Sequence, residues 1–256
     1  MDAWQHWTLR STWTIWPDPL RDLPVLDYGG DFPPSHEALD YPNGLLAVGG
    51  QLSTERLLQA YHRGIFPWYE EPQTVLWWTP EPRSVLFPDE VHISKSLRKT
   101  LRKDNFALSV DCHFETVISQ CGETRSEGPG TWISDEMIAA YTRLHHKGFA
   151  HSIEVHNQRN ELVAGLYGVA LGRIFFGESM FSLEADSSKV ALMGLIDIAR
   201  RGQFELIDCQ IESEHMNSLG ARNISRLDFE AKLEHTVDMD NDHTIWRLPK
   251  TSGGLL

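Results

Sequence analysis

Cysteine is scarce in this chain of 256 residues: Cys112, Cys121 and Cys209 are odd in number and form no Cys-x-x-Cys pair. That argues against a disulfide framework and a structural zinc site, so three free thiols and no metal are expected. No stretch approaches the ~18 uninterrupted apolar residues of a membrane span. The opening residues scatter Asp2, Gln5, His6 and Arg10 among tryptophans, which fits no signal peptide. The expectation is a soluble, cytoplasmic protein with no membrane partner. The phosphate-cradling run Gly-x-x-x-x-Gly-Lys-Ser/Thr is missing, and Gly165, Gly168 and Gly172 lack the spacing of a dinucleotide loop. Nucleotide chemistry of either kind is disfavoured.

Basic residues are in short supply too, with 23 Lys and Arg against 36 Asp and Glu and a net charge of −13. Such a total argues against a polyanionic partner. The average hides a local exception. Between His92 and Lys103 stand five basic residues and no acid, which leaves 18 basic against 36 acidic elsewhere. Lys95, Arg98, Lys99, Arg102 and Lys103 fall at i, i+3, i+4, i+7 and i+8, so a helix over Ser94 to Lys103 stacks them on one face. Ile93, Leu97 and Leu101 take a different face.

Punctuation organises the rest. Residues 1–22 hold four tryptophans without a period and form an extension of unassigned order. Ser53 caps a helix through Leu57, Leu58 and Tyr61, and Gly64 stops it. Phe66 to Pro88 carries five prolines and is expected to link two domains, with boundaries at 23–82 and 83–256. Ser134 opens another helix that ends in His145, His146 and Lys147 before Gly148. The period then changes to two: Ser152 to Val155, Leu162 to Ala170 and Arg173 to Phe181 predict an antiparallel meander. A helix opened by Ser187 or Ser188 and closed by Gly202 follows, then a strand over Phe204 to Gln210. The class is α+β: a small amino-terminal α/β domain, then helices on a mainly antiparallel sheet.

Two places suit chemistry. Alternation puts Asp208 and Gln210 on one face at the end of their strand. They are either reacting groups or an ordinary strand end whose carboxylate caps a turn. Glu178, flanked by Phe175, Phe176, Met180 and Phe181, must be paired, hydrogen-bonded or shifted in pKa, whether for catalysis or for a structural ion pair. Trp68, Trp77, Trp78 and Trp132 offer flat surfaces for stacking bases or for core packing. Gly177-Glu178-Ser179 begins like a nucleophile elbow, but the second glycine is missing.

Taken together, several longer motifs carry a resemblance. Pro42-Asn43-Gly44-Leu45-Leu46-Ala47, Tyr61-His62-Arg63-Gly64-Ile65-Phe66-Pro67-Trp68 and Trp77-Trp78-Thr79-Pro80 resemble the amino-terminal domain of the leucyl/phenylalanyl-tRNA–protein transferase family. Gly130-Thr131-Trp132-Ile133, His151-Ser152-Ile153-Glu154, Gly177-Glu178-Ser179-Met180-Phe181-Ser182 and Leu206-Ile207-Asp208-Cys209-Gln210 resemble its larger domain. The match covers roughly 23 to 235 in order; residues 1–22 and the tail after about Asp238 have none. The resemblance implies a GNAT-like acyltransferase domain that moves Leu or Phe, and less well Met, from aminoacyl-tRNA to proteins beginning with Arg or Lys, marking them for degradation as N-degrons. It implies Asp208, Gln210 and Glu178 at the reaction centre, with Tyr61, Tyr141, Trp68 and Trp132 around the tRNA terminus. It implies an apolar pocket from Leu166, Phe175, Met180, Leu192, Leu195 and Ile207, where Leu166 and Leu195 differ from the residues of one known member. The basic stripe would take tRNA phosphates.

The residues agree with that chemistry on their own terms. An aminoacyl ester is already activated, so no cofactor is called for; an amine must be held against a carbonyl and its proton managed. An acyl-CoA enzyme of the GNAT type is the rival. Ser182 to Lys189, where pyrophosphate would bind, has no glycine and two acids, Glu184 and Asp186. A non-catalytic module for basic amino termini is the other, and it leaves the basic stripe unexplained.

Overall fold

The computed structural model describes residues 23–27, 29–70, 72–126, 133–240 and 243–256. The extension at 1–22 and Trp132 lie outside them. Two sheets result. The smaller holds β1 (Val25–Leu26), β2 (Leu45–Gly49), β3 (Phe66–Pro67) and β4 (Leu76–Trp78) in the order β1-β2-β4-β3, with only β1 and β2 parallel. The larger holds β5 (Arg83–Leu86), β6 (Ala107–Val110), β7 (Ala150–His156), β8 (Leu162–Leu171), β9 (Ile174–Ser182), β10 (Leu206–Gln210) and β11 (Arg222–Ile224). Its order is β11-β5-β10-β9-β8-β7-β6, antiparallel except between β9 and β10. A parallel neighbour needs a crossover, and α5 (Ser187–Arg201) supplies it.

Caps set the helices. Ser53 accepts from the Arg56 amide at 3.1 Å to open α1 (Thr54–Tyr61), and Ser94 accepts from Leu97 at 3.1 Å to open α2 (Lys95–Lys103). Gly64 ends α1 at φ 68°, and a Cβ there would meet the Phe229 ring at 2.7 Å, so the glycine also admits α7 (Arg226–Thr236). Ser134 opens α4 (Asp135–His146) through Met137. The helices α3 (Phe114–Ser126) and α6 (Glu214–Asn217), together with α7, lack a strong apolar period and add to the expected elements.

Each face of the large sheet has its own apolar cluster. One joins Phe176, Val169 and Leu206 to α3, α4 and α7 and runs on into the small sheet through Leu45 and Trp77. The other joins Phe175, Ile153 and Val155 to α2 and α5. This is the α+β class with a mainly antiparallel sheet, and no described helix is long and apolar enough to cross a membrane. Two expectations need correction. The proline-rich stretch from Phe66 to Pro88 is not a free linker: β3, β4 and β5 lie within it and are buried, and only Thr79–Pro82 joins the sheets. Prolines at strand ends interrupt pairing without preventing it. The cap of α5 is Asp186, at φ 63° and without a side-chain cap bond, while Ser187 turns its hydroxyl to the carbonyls of Glu184 and Val163.

Candidate active site

Two register slips on neighbouring strands build the site. Between β8 and β9, Tyr167 pairs with Ser179 and Gly168 with Gly177, so Glu178 is left over as a bulge. The core shows the same insertion. Phe175 and Met180, five positions apart, pack on one cluster, and Phe176 and Phe181 on the other, which strict alternation forbids. Between β10 and β5, Asp208 pairs with Val85 and Gln210 with Ser84, leaving Cys209 over, and Gln210 takes φ 62°. The alternation expected to carry Asp208 and Gln210 to one face is therefore broken between them. Pairing of β9 with β10 stops at Phe176 and Asp208, and across the opening Gln210 Nε2 donates to Glu178 Oε1 at 2.9 Å.

Glu178 is the hub. Tyr61, the last residue of α1, donates to Oε1 at 2.7 Å, and Tyr141 on α4 donates to Oε2 at 3.0 Å. The two hydroxyls also lie 2.5 Å apart. The ring of Tyr61, Tyr141 and Glu178 is one hydrogen short when the carboxylate is ionised. Three contacts close it, but an ionised carboxylate donates nothing and the two phenols supply one hydrogen each. A protonated carboxyl completes it: the carboxyl donates to the Tyr141 hydroxyl, which turns its own hydrogen to Tyr61, and Tyr61 donates to Oε1. Burial, first of all, lifts the Glu178 carboxyl to about 7; hydrogen bonds from Tyr61 and Tyr141 pull against it, and the charge of Asp208 adds to it. Both phenols are raised well above 10, by burial and then by Glu178.

Asp208 is held differently. It is fully buried, and Arg83, itself 1% exposed, donates from Nε to Oδ1 at 2.8 Å and from Nη2 to Oδ2 at 2.6 Å. The guanidinium lies between the rings of Phe66 and Phe229, at 5.0 and 4.6 Å from their centroids. Asp208 Oδ1 also takes the backbone N–H of Gln210 at 2.9 Å, so this neutralised carboxylate pins the bulge that presents Gln210. Sequence reasoning missed Arg83; the available signal was a lone charge inside the apolar run that follows Pro82. Burial pushes the Cys209 thiol up, with the charge of Asp208 adding to it, so no thiolate is on offer beside the bulge.

The remaining candidates fall into three groups. Leu166, Phe175, Leu192, Leu195 and Ile207 are buried in one cluster between the sheet and α5, with half-buried Met180 against it. Trp68 is half-buried, 5.3 Å from the Trp78 ring. Lys95, Arg98, Lys99, Arg102 and Lys103 are all exposed while Leu97 and Leu101 are buried, and none of the five cations makes an ion pair among the described residues. Two clefts of about 490 Å³ lie elsewhere, one between the start of α1 and α4, the other beside the end of α2. No group of His, Cys, Asp and Glu fit to hold a metal occurs among the described residues.

Comparison of the whole sequence with known proteins points to one family. The model for the leucyl/phenylalanyl-tRNA protein transferase covers residues 85–234, and that for its N-terminal domain covers 50–81. The chain belongs to this family. The leucyl/phenylalanyl-tRNA–protein transferase of Azotobacter vinelandii is 54% identical over 208 residues, 81% of this chain and 92% of that one. Its namesake from Pseudomonas fluorescens is 51% identical over 216 residues, 84% and 95% of the two chains. A solved structure of L-PGS from Bacillus licheniformis is similar only remotely, at 13% identity and a TM-score of 0.36 over 70% of this chain and 61% of that one. The leucyl/phenylalanyl-tRNA–protein transferases are aminoacyltransferases, and this chain is an enzyme of that class.

Proposed function

We propose that this enzyme moves Leu or Phe, and less well Met, from aminoacyl-tRNA to the α-amine of proteins beginning with Arg or Lys, marking them as N-degrons. The observation that carries the reading is the ring of Tyr61, Tyr141 and Glu178 joined to Gln210 across the opened β9 and β10 strands. The acceptor's α-amine attacks the ester carbonyl, the C–N bond forms and the ester C–O bond breaks. The amine surrenders a proton and the departing ribose oxygen takes one. Glu178, titrating near neutrality, holds the incoming ammonium when ionised and moves that proton. Gln210 fixes the geometry, and Asp208 with Arg83 positions Gln210. The pocket of Leu166, Phe175, Met180, Leu192, Leu195 and Ile207 receives the transferred side chain by volume, with flexible Met180 at its mouth. Trp68 flanks the tRNA terminus, and α2 takes the phosphates.

The acyl-CoA alternative meets an obstacle at the start of α5, where pyrophosphate would need free amides. Asp186 stands there, bonded to Thr100 at 3.1 Å and Lys189 at 3.1 Å, with Glu184 beside it. The deciding experiment offers radiolabelled Leu-tRNA with peptides beginning in Arg or in Ala. Label on the Arg peptide alone is expected. No transfer, equal transfer to both peptides, or acylation from acetyl-CoA instead refutes the reading.

A further inference from the structure

The segment 243–256 lies past the end of the family match at residue 234, yet it is fastened along the β6 edge of the large sheet. Leu108 donates its N–H to the Lys250 carbonyl at 3.0 Å, Ser252 donates to Phe106 at 2.9 Å, and Thr251 bridges Ala107. Arg201, near the end of α5, donates to the carbonyls of Ile245 and Arg247. What the segment delivers inward is apolar. Trp246 lies flat on His151, ring to ring at 3.5 Å and 8°, and His151 is itself fixed by Asp111 at 2.7 Å. On β8, opposite His151, stands Gly168, where a Cβ would collide first with the Phe176 backbone carbonyl and then with the Phe175 ring at 2.6 Å, so the missing side chain admits both. Trp246 then meets Phe175 at 6.0 Å. Two residues on, Leu248 covers Gly194 of α5, 3.0 Å from where a Cβ would stand, between Met193 and Leu195.

We propose that this segment sets the volume of the pocket for the transferred side chain, with Trp246 as the positioning residue that braces Phe175. The proposal rests on the pocket assigned above. Phe175 lines the pocket and meets the indole, which is itself stacked on His151. Without the indole the ring gains room to swing away, and the pocket widens in favour of the larger donor.

The test is the ratio of kcat/KM for Phe-tRNA to that for Leu-tRNA in the full chain. Trp246→Ala is expected to raise the ratio about tenfold, the lower end of what a methylene-sized change in an apolar pocket gives. Trp246→Phe, which keeps a ring in place, is expected to leave it near the starting value. Leu248→Ala, a smaller lesion on the same segment, serves if Trp246→Ala fails to fold and is expected to move the ratio the same way. A purely structural role for the segment lowers thermal stability and both rates together without moving the ratio, and that result overturns the proposal. Met180→Ala is the control: a ratio moved by Met180→Ala but not by the tail variants sinks this proposal alone, whereas a ratio moved by neither sinks the pocket assignment with it.

Discussion

Replacing Glu178 by Gln asks whether the proton count in the Tyr61, Tyr141 and Glu178 ring is right. In the folded protein the carboxyl titrates at about 7, against 4.5 when unperturbed. A carboxyl whose pKa rises on folding stabilises the fold fully below about 4.5, and that contribution is lost as pH climbs through about 7, because the folded state binds the extra proton. At roughly 1.36 kcal/mol per pH unit the gap is worth about 3 kcal/mol, a ceiling since Glu178 keeps some contact with solvent. The side-chain amide of the Glu178→Gln variant never ionises. Its Oε1 still accepts from Tyr61 and Gln210, and its N–H donates to the Tyr141 hydroxyl, which donates on to Tyr61. The variant therefore mimics the protonated wild type. Urea unfolding at pH 5 and pH 8 is the assay. Wild type is expected to lose up to about 3 kcal/mol between the two relative to Glu178→Gln, with the variant the more stable at pH 8 and slower in transfer. Other titrating groups are common to both proteins and cancel. Parallel pH responses, or a variant less stable at pH 8, would show that the ring needs no carboxyl proton.

Asp208→Asn strands the buried Arg83 guanidinium and is expected to cost about 3 to 5 kcal/mol in urea unfolding; Arg83→Met with Asp208→Leu recovers most of that while transfer stays low, because Gln210 has lost the acceptor for its N–H. Recovery of transfer along with stability would remove Asp208 from the positioning role. Gln210→Ala is expected to lower single-turnover transfer about a hundredfold to a thousandfold with charged-tRNA affinity little changed; a defect explained wholly by weak tRNA binding counts against it. Lys99→Ala with Arg102→Ala is expected to weaken tRNA binding and to flatten its salt dependence by about 1.4 to 1.8 in slope, whereas an unchanged slope in filter binding places the phosphates elsewhere.

Much of the frame was legible from local signals. Ser53 and Ser134 cap helices where a hydroxyl precedes an apolar period, because capping is satisfied within three residues. The three-strand meander follows from alternation, and the exposed cationic face of α2 from helical spacing. The helix α3 was not legible because its apolar period is weak, and it is held by packing residues such as Val117 and Ile118 against the sheet. The prolines from Phe66 to Pro88 misled because a strand tolerates proline at its ends, and whether a neighbour pairs there is not a local matter.

The sequence by itself determined which residue types were available: a carboxylate in an apolar run, an amide two residues past an acid, tyrosines in helices and one basic stripe. Tertiary structure decided what they became. Whether Glu178 bulges out of β9 depends on the register β8 offers, and a one-residue slip is invisible from either strand alone. The same holds for Asp208, whose partner Arg83 stands 125 residues away, so that the strand alone left its carboxylate open to reaction or to capping while the fold pairs it with a guanidinium. The ring of Tyr61, Tyr141 and Glu178 joins three elements that touch only once the small sheet's helix is packed against the large sheet, and it is that enclosure, not the residue's identity, that moves a carboxyl to neutrality.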